Sequence, residues 1–161
     1  MNKIIFILFF IISCTQEKQN TYLSISLKDW NGKEFTLSDY RGKIIVLDFW
    51  ASWCEPCKKS IPVIESLKKG ADPEKIIFRG INTDSGKSPK EVKKIAENFG
   101  MTYDSLLDPD TILSDTLQIT GLPALAFFNE KGELLYRQYG VSAIDFPYLS
   151  HKLKNWAIDK N

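Results

Sequence analysis

Cys54 and Cys57, held in Trp53-Cys54-Glu55-Pro56-Cys57-Lys58, are the residues whose type and spacing read directly as chemistry. Two thiols separated by two residues can close a disulfide with each other and exchange it with another, through attack of a thiolate on a disulfide sulfur. The attacking thiolate needs a low pKa, and unpaired backbone N–H groups and the dipole at a helix N-terminus favour negative charge. Cysteines in such motifs titrate at roughly 3.5 to 7.5, against about 8.5 for a free thiol. Cys54 is therefore expected to be the nucleophile, and Cys57, one turn further in, the more buried resolving thiol.

Other uses of the pair are weaker. A structural zinc site needs about four ligands, and besides this pair the chain offers Cys14 and a distant His151, expected on the surface of the last helix. Covalent haem attachment needs histidine directly after the second cysteine, where Lys58 stands. A permanently oxidised structural disulfide remains the plain alternative.

The elements around the pair fit the redox use. Ile44 to Trp50 has the length and β-branched content of a buried strand, and Ile61, Ile64 and Leu67 recur at helical spacing up to Lys69. Strands and helices alternate through the rest of an α/β chain. A hairpin is expected from Tyr22–Leu27 and Glu34–Thr36 around Asn31-Gly32, then a turn at Ser38–Tyr40 and a strand at Ile76–Ile81. Ser88, Pro89 and Glu91 open a helix with Val92, Ile95, Ala96 and Phe99 inward and Gly100 as its stop. Further expectations are a strand at Tyr103–Leu107, a helical turn at Asp110–Leu117, a hairpin from Ala124–Phe128 and Glu133–Tyr139, and a last helix presenting Leu149, Leu153 and Trp156.

Met1-Asn2-Lys3, the nine apolar residues Ile4 to Ile12, and Ser13 before Cys14 form a positive start, an apolar core and a lipobox-like end. The run falls short of the roughly 20 residues of a membrane-spanning helix. It reads as a signal peptide over residues 1–13; an uncleaved anchor, or an ordinary signal with a chance cysteine, is the alternative. The start resembles bacterial lipoprotein precursors, which implies cleavage before Cys14 and lipid on its sulfur and new amino group. Residues 14–21 then form a polar tether and 22–161 one domain, since removing 13 of 161 residues leaves 148, enough for a single core. The 21 Lys and Arg balance 20 Asp and Glu, so no nucleic-acid footprint appears.

Asp48-Phe49-Trp50-Ala51-Ser52-Trp53-Cys54-Glu55-Pro56-Cys57-Lys58, Gly121-Leu122-Pro123 before a strand, and the closing Gly132-Glu133-Leu134 hairpin resemble the thioredoxin fold. With the N-terminal hairpin, an inserted αβ element between Asn82 and Pro123 and the lipoprotein start, the chain is similar to the membrane-tethered TlpA/ResA-type family of envelope thiol-disulfide oxidoreductases. That resemblance implies a central mixed sheet flanked by helices, protein partners with thiols or disulfides, an upstream membrane electron donor, no cofactor and work in reducing pathways. Apocytochrome c awaiting haem is one such partner.

Asp48 is an isolated acid in a strand apolar on both faces. Burial should raise its pKa and let it exchange a proton with Cys57; the alternative is a strand-end acid reaching water. The resemblance places it below the resolving cysteine. Cytochrome-maturation relatives often carry asparagine there and an acid where this chain has Ser60. The resemblance also makes Leu122-Pro123 a cis peptide facing the disulfide, with the Leu122 backbone open to a substrate strand.

Trp53 is either a substrate-facing platform or a partly buried aromatic, whereas Phe49 and Trp50 read as core. Pro56 fits a helix start and Glu55 disfavours the Cys54 thiolate, with Lys58 and Lys59 opposing it or merely forming a solvated face. A copper-carrying binding module is the alternative function. Such carriers generally need a histidine near the proline loop, which Gly121-Leu122-Pro123 lacks. A peroxidase-like reading is weaker still, since Ala51 stands three residues before Cys54 where peroxidases of this fold carry threonine.

Overall fold

The computed structural model describes residues 21–158. The signal peptide, Cys14 and the tether up to residue 20 lie outside the described residues. Among the described residues no helix is long and apolar enough to cross a membrane.

Seven strands form one mixed sheet: β1 (Leu27–Asp29), β2 (Glu34–Phe35), β3 (Ile44–Trp50), β4 (Ile76–Asn82), β5 (Ser105–Leu107), β6 (Ala124–Phe128) and β7 (Leu134–Tyr139). Their spatial order is β2-β1-β5-β4-β3-β6-β7. The helices are α1 (Glu55–Lys69), α2 (Pro89–Asn98), α3 (Ile112–Thr116) and α4 (Phe146–Ile158). β3 runs parallel to β4 and antiparallel to β6, and all seven of its side chains are buried. A strand paired on both edges and covered on both faces has no solvated side, so its sequence is apolar without alternation.

Strand pleating sorts the core into two layers. Ile44, Val46 and Trp50 point to the face covered by α1, α2 and α4, where Ile61, Ile64, Val92, Leu149 and Leu153 are buried. Ile45, Leu47 and Phe49 point to the other, packed by Leu37, Leu113 and Leu117. Each such buried side chain is worth about 1.5–3 kcal/mol of hydrophobic transfer. The capping box at α2 forms as expected: Glu91 N–H donates to Ser88 Oγ at 3.3 Å and Ser88 N–H to Glu91 Oε2 at 2.8 Å.

The expected αβ insertion is a working part of the sheet. Its strand β5 pairs parallel to β4 and antiparallel to β1, so it bridges the N-terminal hairpin to the central strands. That hairpin is shorter than the sequence suggests. Thr21–Ser24 is a 3-10 turn, and the strand starts only at Leu27. Tyr22 and Leu23 are adjacent and both buried, which a strand with one solvated face does not allow. Instead the turn plugs the β6–β7 hairpin: the Tyr22 hydroxyl donates to the Gly132 carbonyl at 3.1 Å, and a Cβ on Gly132 would lie 2.7 Å from Leu23 Cδ2. The other boundaries shift by one or two residues, with β5 opening at Ser105 and α3 at Ile112.

Candidate active site

β3 delivers the chain to the sheet's upper edge, where Ala51–Trp53 turns it into α1. Cys54 is the N-cap: its own backbone is extended while Cys57 N–H donates to its Sγ at 3.2 Å and to its carbonyl at 3.0 Å. Pro56 stands in the first turn, where its missing N–H costs nothing. The two sulfurs are joined as a disulfide, with Cα atoms 5.3 Å apart. Cys57 is fully enclosed, while Cys54 keeps 4% of its surface in contact with solvent. Cys54 thus lies nearer the surface than Cys57.

Trp53 is 72% exposed and stands beside exposed Glu55 and Pro56, so it is not a partly buried aromatic. Lys58 and Lys59 form a solvated face of α1, and Phe49 and Trp50 are core. His151 is exposed on α4. Among the described residues no three His, Cys, Asp or Glu side chains gather to hold a metal.

Leu122-Pro123 is a cis peptide. Ala124 pairs with Phe49, so Pro123 sits at the same sheet end from which the cysteine loop departs. Leu122 is half-buried, and among the described residues its main chain makes no backbone hydrogen bond. Two β7 side chains steady the preceding loop: Arg137 Nε donates to the Leu117 carbonyl at 2.9 Å, and the Tyr139 hydroxyl to the Gln118 carbonyl at 3.0 Å.

Asp48 is buried to 1% exposure, on the face that also holds Cys57, Ile61 and Ile64. Desolvation raises its pKa from 3.8 to about 7, against the lowering effect of a hydrogen bond from Tyr103. The Tyr103 hydroxyl donates to Oδ2 at 2.7 Å, and Oδ1 has no protein partner among the described residues. A carboxyl titrating near neutrality can hold or give up a proton under working conditions.

Three groups near the site escaped the sequence reading. Asp84, itself buried, accepts from Ser52 N–H at 2.9 Å, Ser52 Oγ at 2.8 Å and Asn82 Nδ2 at 2.9 Å, and so ties the cysteine loop to the end of β4. Tyr103 faces Asp48 from 55 residues away. Gly80, opposite both Asp48 and Ser105, leaves the space through which Trp50 Nε1 reaches Ser105 Oγ at 3.0 Å; a Cβ there would meet that oxygen at 2.7 Å.

A mixed sheet of this order, with a Cys-X-X-Cys pair capping the helix after its central strand and a cis proline at the same end, defines a thioredoxin-fold protein. The chain belongs to the AhpC/TSA family, whose model matches residues 19–137. It is 34% identical over 108 residues to the thioredoxin-like protein YneN of Bacillus subtilis, covering 66% of this chain and 62% of that one. It is 32% identical over 109 residues to the thiol-disulfide oxidoreductase ResA of the same organism, covering 68% and 60%. The match thus spans about three fifths of the length of these relatives. Among solved structures, the exposed lipoprotein thioredoxin of Streptococcus pneumoniae strain TIGR4 is 30% identical with a TM-score of 0.64, over 81% of this chain and 98% of that one.

Proposed function

We propose that this chain is a thiol-disulfide oxidoreductase of the bacterial cell envelope, working as a reductant of protein disulfides. The observation that carries the reading is the asymmetry of the pair: Cys54 at the helix N-cap with an N–H aimed at its sulfur and some solvent contact, Cys57 enclosed behind it. The Cys54 thiolate attacks one sulfur of a partner's disulfide; a Cys54–partner bond forms, the partner's S–S bond breaks, and its other sulfur leaves as a thiolate. Cys57 then gives its proton to Asp48 and attacks Cys54 Sγ. The internal disulfide closes, the partner's second sulfur departs, and two electrons have passed from the chain to the partner. Asp48 returns the proton to the departing sulfur or to solvent.

The partner lies across exposed Trp53, Glu55 and Pro56 and pairs with the open Leu122 backbone before Pro123, as an added strand does at a sheet edge. Signal cleavage after residue 13 and lipid on Cys14 hold the domain to the membrane on its periplasmic side, through a tether from residue 14 up to the Thr21–Ser24 turn. Similarity to an exposed lipoprotein supports that placement. Partners are envelope proteins with disulfides, apocytochrome c among them, and a membrane donor resupplies electrons. Asp48 in the strand and Ser60 on the helix leave the proton step intact while changing which element supplies the acid.

Expressed as the full chain in a bacterial envelope, the wild type is expected in the membrane fraction and Cys14→Ser in the soluble one. The isolated wild type, reduced and mixed with oxidised glutathione, should gain one internal disulfide while two glutathione thiols appear. No thiol release would contradict the exchange reading, and a membrane-bound Cys14→Ser would contradict the anchor.

A further inference from the structure

We propose that Tyr103 is a positioning residue for the proton transfer from Cys57: its hydroxyl occupies Oδ2 of Asp48 and leaves Oδ1 as the oxygen that receives the proton. The inference rests on the proposed exchange reaction and adds a second residue to its proton step.

The placement of Tyr103 is fixed from both sides. On one side, Thr102 is held by Glu65 of α1, whose carboxylate accepts from Thr102 N–H at 2.5 Å and from Thr102 Oγ1 at 2.8 Å. On the other, Asp104 gives its carbonyl to Gly80 N–H at 2.9 Å, one step before β5 joins the sheet. Between these anchors the Tyr103 ring lies against Phe78, with centroids 6.5 Å apart, and its hydroxyl reaches Asp48 in the β3 row beside Gly80. A flexible side chain would have to be ordered at each turnover. This one is ordered once, on folding.

A phenol at that spot can do little except donate. Burial first, and the Asp48 charge second, push Tyr103 well above the ordinary phenol range, so near neutral pH it is a donor. A donated hydrogen bond stabilises the carboxylate form of Asp48, the form able to take a proton. Few titratable groups act on Asp48: its sheet partners are Gly80 of β4 and Leu125 of β6, neither of which titrates, Cys57 of α1 lies in the apolar cluster on the same face, and the charged or polar groups at its donor side are Tyr103 itself and, beside Tyr103, Glu65 of α1. The Tyr103 donor is therefore the main lever the fold has for drawing Asp48 back toward ionisation.

The test uses the reduced full chain and 5,5′-dithiobis(2-nitrobenzoate), which separates the two steps. Attack by Cys54 forms one disulfide and releases one thionitrobenzoate; resolution by Cys57 forms the second disulfide and releases another. In Tyr103→Phe, which keeps the ring against Phe78, the first phase should stay within about twofold of wild type. The midpoint of the second phase's pH profile should move up by about one unit, leaving resolution about tenfold slower below it. A carbon-13 titration of the Asp48 carboxyl in the oxidised protein should show the same upward move, whatever the variant's rate. A second-phase profile and a carboxyl titration that both coincide with wild type would overturn the proposal. Asp48→Asn separates this failure from that of the underlying reading: if it too left the second phase unchanged, Asp48 itself would be out of the mechanism.

Discussion

Replacing Cys57 with alanine is expected to turn the protein into a trap. Cys54 can still attack, because the N–H of residue 57 that points at its sulfur belongs to the backbone and survives the substitution. What is lost is the second thiol, so the mixed disulfide cannot be resolved internally and partners stay bound. Expressed with its own signal in envelope-bearing cells, Cys57→Ala should accumulate disulfide-linked adducts that reducing agent releases, and Cys54→Ser should accumulate none. Exchange by Cys54→Ser should fall to background, a loss of about 10⁴-fold or more, on the scale of other enzymes deprived of a covalent nucleophile. Apocytochromes among the trapped proteins would place the chain in haem attachment; a broad set of secreted proteins would place it in general disulfide maintenance. Adducts on Cys54→Ser would show that some other sulfur attacks.

Asp48→Asn should stabilise the fold while slowing the reaction. Burial raises the folded-state pKa from 3.8 to about 7, so the folded protein holds this proton more tightly than the unfolded chain does. The stability contributed by the protonated carboxyl is fully present below the unfolded value and is lost as pH rises through about 7. Roughly three pKa units at about 1.36 kcal/mol each give up to about 4 kcal/mol of destabilisation at alkaline pH. Asparagine is neutral throughout and can still accept from the Tyr103 hydroxyl. Denaturant unfolding should therefore show Asp48→Asn more stable than wild type at pH 8 and nearly equal at pH 4. Resolution by Cys57 should slow by about 10²-fold or more near neutrality, as when a general base is removed, while attack by Cys54 changes little. Equal unfolding free energies at both pH values would mean that Asp48 is not held as a buried acid.

Such a penalty in a central strand shows why part of the site was legible in the sequence. An acid inside Ile44–Trp50 breaks an otherwise apolar run, and Cys-X-X-Cys between a strand and a helix is a local pattern; both depend on neighbours in the chain. The capping box at Ser88 and the hairpin turn, where Asp29 accepts from Asn31 and Lys33 N–H, are local too. Tyr103 and Asp84 carry no local signature. Tyr103 reads as one more aromatic at a strand start, and its meaning comes from Asp48, 55 residues earlier. Asp84 reads as a loop acid, yet it holds Ser52, 32 residues away, and so fixes the approach to Cys54. Tyr22–Ser24 misled for a different reason. Its β-prone composition is overridden by the chance to bury two adjacent side chains under the β6–β7 hairpin, which only a tight turn permits.

An acidic, accessible Cys54 at the helix N-terminus should show itself in the pH dependence of iodoacetamide alkylation of the reduced chain, with the modified residue located by mass spectrometry. Cys54 should react first and with a midpoint in the range of roughly 3.5 to 7.5. Alkylation of Cys54 with the midpoint of about 8.5 of an ordinary thiol, or preferential alkylation of Cys57, would contradict it.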